Sequence, residues 1–224
     1  MNAGVSFLSV RFEVVKYTHI IWDFNGTLLN DVDIGIQSIN VLLAKRGLNM
    51  LSSAEEYRAV SGFPIVEYYK RIGFDFSKEP YDKVAPEWVE QYMSRVDQAE
   101  LYADALPMLE YVRQKQLGQI LLSATELNML CGQVAALGIG HYFDEICGMD
   151  NVYAHGKLSL AQKWREGHSD AKALFVGDTD HDFEVASAIG ADCVLFSGGH
   201  QSYDRLARLG CPVIDRLCDL KNYL

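Results

Sequence analysis

Basic clusters, paired cysteines and long apolar runs are all missing from this 224-residue chain, and each absence narrows what it does. No window holds five or six Lys and Arg together, and 20 basic residues face 30 acidic ones for a formal net charge of −10. A surface of that sign repels phosphate backbones on average, so nucleic-acid binding is disfavoured. The five cysteines, Cys131, Cys147, Cys193, Cys211 and Cys218, are odd in number and form no C-x-x-C pair. Neither a disulfide framework nor a zinc cluster follows from that pattern, and reduced, mostly buried thiols are expected. No stretch reaches the roughly 20 apolar residues of a spanning helix. The opening MNAGVSFLSVRFEVVKY has no cationic leading end and is interrupted by Arg11 and Glu13, unlike a signal peptide. A soluble, cytoplasmic chain with no membrane partner is expected. Residues 1–16 fit a leading strand, an ordered arm or a start-site extension equally well.

What remains is ordinary globular composition, 49% hydrophobic and 22% charged, enough for one full core and a smaller second body. Short β-rich runs at 17–23, 118–124, 172–178 and 192–196 read as buried strands. Helical periodicity separates the last three: Leu127, Leu130, Val134 and Leu137 before Gly138, then Phe183, Ala186 and Ile189 before Gly190. Alternation of this kind predicts a parallel sheet covered by helices, with its site at the carboxyl ends of the strands. Asp23, Ser123 and Asp178 fall there. Residues 30–100 show helical spacing only. Asn30 or Asp31 is placed to cap a helix running to Lys45 and Arg46 with Gly47 as its stop, and EEYRAV, PIVEYYKRIG and APEWVEQYMSRV follow. The expected organisation is an α/β domain of residues 1–29 and 101–224 and a helical body of residues 30–100. A helix with Pro107 in its first turn and Gly118 after its end leads back into the sheet.

Asp23 closes a strand and is followed by Gly26 and Thr27, a tight loop of the kind whose amides bind anions, although a turn or cap role would also explain it. Ser123 suits a phosphate ligand or the cap of the next helix, with Thr125 a rival for either role. Lys157 competes with Lys163 as the cation of the site. The acids of GDTDHD, Asp178, Asp180 and Asp182, suit a divalent cation or a helix N-terminus. His181 is expected to face solvent, and Asp180 to be an extra acid within reach of a metal's water shell.

Taken in order, DFNGT at 23–27, ILLSAT at 120–125, Lys157 in AHGKLSL and FVGDTDHD at 175–182 resemble the four motifs of the haloacid dehalogenase-like hydrolase superfamily. The helical insertion after the first motif resembles the cap of its phosphoglycolate phosphatase-like branch. The resemblance implies a Rossmann-like core with a helical lid, Mg²⁺ as cofactor, a small-molecule phosphate substrate and a phosphoenzyme mechanism. It implies Asp23 as nucleophile, and Mg²⁺ held by Asp23, Asn25 through its backbone carbonyl, Asp178 and Asp182. Ser123, Ala124, Gly26, Thr27 and Lys157 would bind the phosphoryl group. Gly62 would admit substrate under the cap, with Lys70 or Arg71 meeting a carboxylate or second phosphate. The segments 28–31 and 99–104 are the expected hinges.

Asn25 departs from the pattern, which there has an aspartate that serves as general acid and base. An amide exchanges no proton at neutral pH, and loss of such help typically slows a reaction by about 10²–10⁴-fold. Five explanations stay open: a slow phosphatase, a substrate with a good leaving group such as an acyl phosphate or anhydride, a proton from another residue, a phosphate-binding regulatory protein, or an engineered or deamidation-prone Asn-Gly site. A phosphonoacetaldehyde hydrolase-like C–P hydrolase, with Lys45 or Lys70 forming a Schiff base, is a further alternative.

Overall fold

The structure, a computed structural model, describes residues 16–151 and 156–224. The expectation for the first sixteen residues therefore falls, save for Lys16, outside the described residues. The main sheet comprises β1 (His19–Trp22), β4 (Gly118–Glu126), β5 (Glu145–Met149), β6 (Ala173–Gly177), β7 (Asp192–Phe196) and β8 (Val213–Ile214). Between β1 and β4 the chain forms β2 (Leu29–Asn30), α1 (Val32–Lys45), α2 (Ala54–Val60), α3 (Ile65–Arg71), α4 (Tyr81–Met93), β3 (Glu100–Leu101) and α5 (Ala105–Gln114). Helices α6 (Leu127–Ala136), α7 (Leu158–Gly167), α8 (Asp180–Ala188) and α9 (Tyr203–Leu206) complete the fold.

The strand order is β5-β4-β1-β6-β7-β8, with every pairing parallel. Alternation along β1 explains why this sheet is covered on both faces. Ile20 and Trp22 are buried with Met108 and Leu109 of α5 and Leu130 and Val134 of α6. Ile21, pointing the other way, is buried with Ala161 and Trp164 of α7 and Val185 and Ala186 of α8. Trp22 keeps its indole N–H satisfied by donating to Gln119 Oε1 at 3.0 Å. This is the α/β, Rossmann-like class with a helical cap that the sequence predicts.

Helices α1–α4 bury a second apolar cluster containing Ile39, Leu42, Leu43, Tyr57, Tyr69 and Val84. The two chain crossings into this body are tied together, since β2 and β3 pair antiparallel at Leu29 and Leu101 and the Tyr102 amide donates to the Leu28 carbonyl.

Several local expectations need correction. Helix α1 begins after Asp31, but the Asp31 side chain makes no cap bond; it is drawn into the site described below. Glu126, not Ser123, caps α6, accepting from the Met129 amide. Strand β4 continues to Glu126 through a register irregularity after Leu122, a bulge that re-aims residues 123–125. Gln116, at φ 56°, makes the turn after α5, and Gly118 instead opens β4. The thiols are less buried than expected: Cys193 is buried, Cys131 is exposed and the other three lie between. Among the described residues no helix is long and apolar enough to cross a membrane.

Candidate active site

Two neighbouring strands end in acids. Asp23 follows β1, its amide donating to the Val176 carbonyl at 2.8 Å, and Asp178 follows β6. The chain then turns sharply at Gly26 (φ 75°). Close approach matters there as much as dihedral freedom, because a Cβ on Gly26 would sit 2.4 Å from Asp178 Oδ2. Gly199, in the loop after β7, closes the other side, where a Cβ would meet Asp178 Oδ2 at 2.2 Å and the Gly26 carbonyl at 2.4 Å. Gly199→Ala is therefore expected to push Asp178 out of place, at a cost of about 1–3 kcal/mol in unfolding free energy by denaturant titration.

Asp23, Asp178 and Asp182 each present an oxygen within 4.8 Å of the others, and all three are buried. Lys157 is also buried and is the bridging cation, in contact with Asp23 and 2.6 Å from Asp182 Oδ1. Asp182 does two things at once. Its Oδ2 accepts from the Asp178 amide, the Thr179 amide and the Thr179 hydroxyl, closing a capping box at the start of α8, while Oδ1 faces Lys157. The helix-start reading of the acidic motif is thus realised at Asp182, and the same loop brings Asp178 and Asp182 within 4.8 Å of Asp23.

Burial shapes the electrostatics. It raises the carboxyl pKa of Asp23 against the lowering pull of Lys157, and raises that of Asp178 well above the usual range. Burial works on Asp182 in the same direction, but Lys157 and the Thr179 donors overcome it and hold this acid below its ordinary value. The two acids in turn offset the burial of Lys157 and keep its ammonium protonated. Lys157→Met leaves two buried carboxylates without their counter-ion. A loss of about 3–5 kcal/mol in unfolding free energy is expected by denaturant titration.

Asn25 is held by four partners. Its Nδ2 donates to Asp31 Oδ2 at 2.9 Å and to the Tyr92 hydroxyl at 2.8 Å, and its Oδ1 accepts from Thr125 at 2.8 Å and Ser123 at 3.3 Å. Both ends of an amide are used, which a carboxylate could not reproduce. Asp31 is buried and also accepts from the Gly26 amide at 2.8 Å and the Tyr92 hydroxyl at 2.7 Å. His200 Nε2 lies 3.3 Å from Asp31 Oδ1, its Nδ1 is 2.9 Å from the Tyr57 hydroxyl, and its amide donates to Asp178 Oδ2 at 2.6 Å. Burial disfavours both ions, yet each stabilises the other, so Asp31 is shifted down and His200 well up.

These groups open into a cavity of about 1250 Å³, counting the part open to solvent, between the strand ends and helices α2–α4. Asp23, Asn25, Ser123, Ala124, Lys157, Asp178, Asp182 and Gly62 line it, as does Thr125. Other expected site residues do not. The Gly26 amide is engaged by Leu29 and Asp31, and the Thr27 amide by Phe24. The Thr27 hydroxyl bridges Asp23 and Asp178, so Gly26 and Thr27 shape the loop but present no free donor to a phosphate. Lys70 is exposed and paired with Glu67, and Arg71 donates to the Val60 carbonyl; neither lines the cavity. Lys45 pairs with Glu87. Lys163 is exposed. Asp180 is taken up by Arg205 at 2.6 Å and by Gln201. His181 turns inward to stack on Phe63, with ring centroids 4.5 Å apart.

Sequence reasoning passed over Asp31, Tyr57, Tyr92 and His200. Asp31 carried a signal but was read as a helix cap. His200 also carried one, since the Gly-Gly-His at 198–200 directly follows a parallel strand at its carboxyl end. The two tyrosines come from the helical insertion, whose packing onto the sheet no local pattern encodes.

A comparison with curated proteins finds no match. Among solved structures, a haloacid dehalogenase-like family hydrolase from Streptococcus pneumoniae superposes with a TM-score of 0.79 at 19% identity, covering 94% of this chain and 99% of its own. A predicted phosphoglycolate phosphatase from Haemophilus somnus 129PT gives 0.73 at 18% identity, over 94% and 99%. The Protein Tyrosine Kinase A of Mycobacterium tuberculosis gives 0.75 at 18% identity, over 92% and 97%. Likeness this distant establishes the fold, and the same fold carries differently named activities. The family itself rests on the sequence: the profile of the haloacid dehalogenase-like hydrolases matches residues 20–196, which include every residue that brings a carboxylate or the lysine to the site, and the chain belongs to that family.

Proposed function

We propose that this chain is a Mg²⁺-dependent phosphohydrolase acting on a small phosphorylated molecule through an aspartyl phosphate on Asp23. The observation that carries the reading is the buried constellation itself, a carboxylate paired with Lys157, two further acids within 4.8 Å, and a covered cavity in front of them. The donor set suits Mg²⁺, because it is made of oxygens and Asp178 touches no Lys or Arg among the described residues that would balance its charge. Asp23, Asp178 and the Asn25 carbonyl would hold the ion, with Asp182 behind them, and bound Mg²⁺ would supply charge neutralisation at the phosphoryl oxygens.

Asp23 attacks phosphorus, and the resulting acyl phosphate is hydrolysed in a second step. Lys157 offsets the negative charge that gathers on the transferring group and orients Asp23. Ser123, whose hydroxyl makes the longer contact to Asn25 at 3.3 Å, would turn its one proton to the phosphoryl group at the end of β4 while Thr125 keeps Asn25 Oδ1 at 2.8 Å, and Ala124 contributes backbone. Residues 30–100 act as a cap over a core of residues 1–29 and 101–224, closing to exclude water, with segments 28–31 and 99–104 as hinges. Phosphoglycolate is the substrate that the family's branch suggests, but no Lys or Arg of the helical body lines the cavity among the described residues to meet its carboxylate.

A second reading, a phosphate-binding protein without turnover, is favoured by one observation, the full engagement of the Asn25 amide in place of an acid. Phosphate release from acetyl phosphate and p-nitrophenyl phosphate with Mg²⁺, on protein whose Asn25 is verified by peptide mass, separates the two. Turnover supports the enzyme. Saturable Mg²⁺ and phosphate binding with no turnover supports the binding protein.

A further inference from the structure

We propose that the leaving group this site accepts is aromatic, so that the substrate is an aryl phosphate monoester and not the ester of an acidic alcohol; this rests on the phosphohydrolase reading above. Three independent observations converge on it.

The first is the wall facing the carboxylates. Helices α2–α4 and the loop before α3 present Tyr57, Phe63, Tyr68, Trp88 and Tyr92 to the cavity, and Trp88 stacks on Tyr92 at 5.0 Å. Flat aromatic walls favour a flat apolar guest through offset or edge contacts. Tyr68 is buried, yet its hydroxyl has no partner among the described residues, so one polar ring substituent would find a donor there.

The second is charge. Among the described residues no Lys or Arg of the helical body lines the cavity. Each nearby cation is engaged elsewhere: Arg58 by the Gly198 and Gly199 carbonyls, Arg46 by Glu79 and Glu87, Arg205 by Asp180 and the Ser61 carbonyl, and His200, which lines the cavity, by Asp31. A substrate carboxylate or second phosphate would be buried there without a free counter-ion, which disfavours its binding.

The third is Asn25, which has no proton to give. A phenol is about six pKa units more acidic than water, so an aryloxide departs unassisted where an alkoxide does not. The Asp23 carboxylate gives an electron pair to phosphorus, and the P–O(aryl) bond breaks with its pair on oxygen. The aryloxide takes its proton afterwards from solvent. Water then adds to the phosphorus of the acyl phosphate, the carboxylate is restored, and the water's proton leaves with the released phosphate.

Two arms test this on the full-length protein with Mg²⁺. In the kinetic arm, phenyl phosphate is expected to have a KM at least about threefold lower than cyclohexyl phosphate and a kcat at least about 10²-fold higher, and phosphoglycolate to have a KM at least about tenfold weaker than phenyl phosphate. In the binding arm, calorimetry compares phenylphosphonate with phosphonoacetate, neither of which contains a P–O–C bond to hydrolyse. Phenylphosphonate is expected to bind at least about tenfold more tightly, and Trp88→Ala to weaken it about tenfold more than it weakens inorganic phosphate. Tighter phosphonoacetate, or a lower KM for phosphoglycolate than for phenyl phosphate, overturns the proposal. Should even acetyl phosphate resist hydrolysis, the phosphohydrolase reading fails, and the binding arm alone decides whether the cavity takes an aryl group.

Discussion

Asp23→Asn is expected to lower Mg²⁺-dependent phosphate release by about 10⁴-fold or more, the loss seen when a covalent nucleophile is removed, while leaving the fold in place. The substitution keeps the shape of the side chain and its capacity to accept from Thr27, and takes away only the charge and the attacking oxygen. Because burial already works against the ionised form of Asp23, a neutral amide costs the folded state little. Lys157 is not orphaned either, since Asp182 stays 2.6 Å away. Loss of turnover with a melting temperature within a few degrees of the native protein thus isolates the chemistry. A phosphoenzyme trapped at low pH from the native protein and missing from the variant identifies the acceptor. Activity in the variant within tenfold of native would mean that another group attacks, and the whole assignment of Asp23 would fall.

Legibility in the sequence followed the range of the interactions. The sheet was readable because strands buried on both faces must be continuous apolar runs, as in IIW at 20–22 and LFV at 174–176. The edge strands β5 and β8 were not, since EICGM is half exposed and Val213–Ile214 is only two residues long. Asp23, Asp178 and Asp182 were nameable because strand ends and a helix start fix where they fall, whereas Lys157, in local competition with Lys163, was singled out only by the resemblance to the family's motifs. What surrounds Asn25 was not nameable. Asp31 lies one residue before α1, where a cap is the local explanation, and only the packing of Tyr92 and His200 against it reveals a different use. The cations of the helical body misled for the complementary reason. Lys70 and Arg71 share a heptapeptide helix with Tyr68 and Tyr69, and it is the tyrosines that face inward.

Asn25→Asp carries the second large effect, and its two parts have opposite signs. A carboxylate at position 25 would stand where Nδ2 now lies 2.9 Å from Asp31, and two buried carboxylates at that distance cannot both ionise. One of them acquires a raised pKa, at a cost of about 2–4 kcal/mol of stability near pH 7, equivalent to a shift of about two to three units. A raised folded-state carboxyl pKa destabilises above that pKa and ceases to matter below the unfolded value near 4. The melting-temperature gap between native and variant protein should therefore close as pH falls toward 4. The same shared proton supplies what the native site lacks, so turnover of alkyl phosphates should rise about 10²-fold while aryl phosphates gain much less. Exchanging the pair in Asn25→Asp/Asp31→Asn restores one carboxylate and one amide in contact and should recover most of the lost stability with the alkyl gain retained. A double variant as unstable as the single one would place the energy in the ion pair between His200 and Asp31 instead. A folded, Mg²⁺-binding Asn25→Asp protein with no gain on alkyl phosphates would refute the proton-transfer account of position 25.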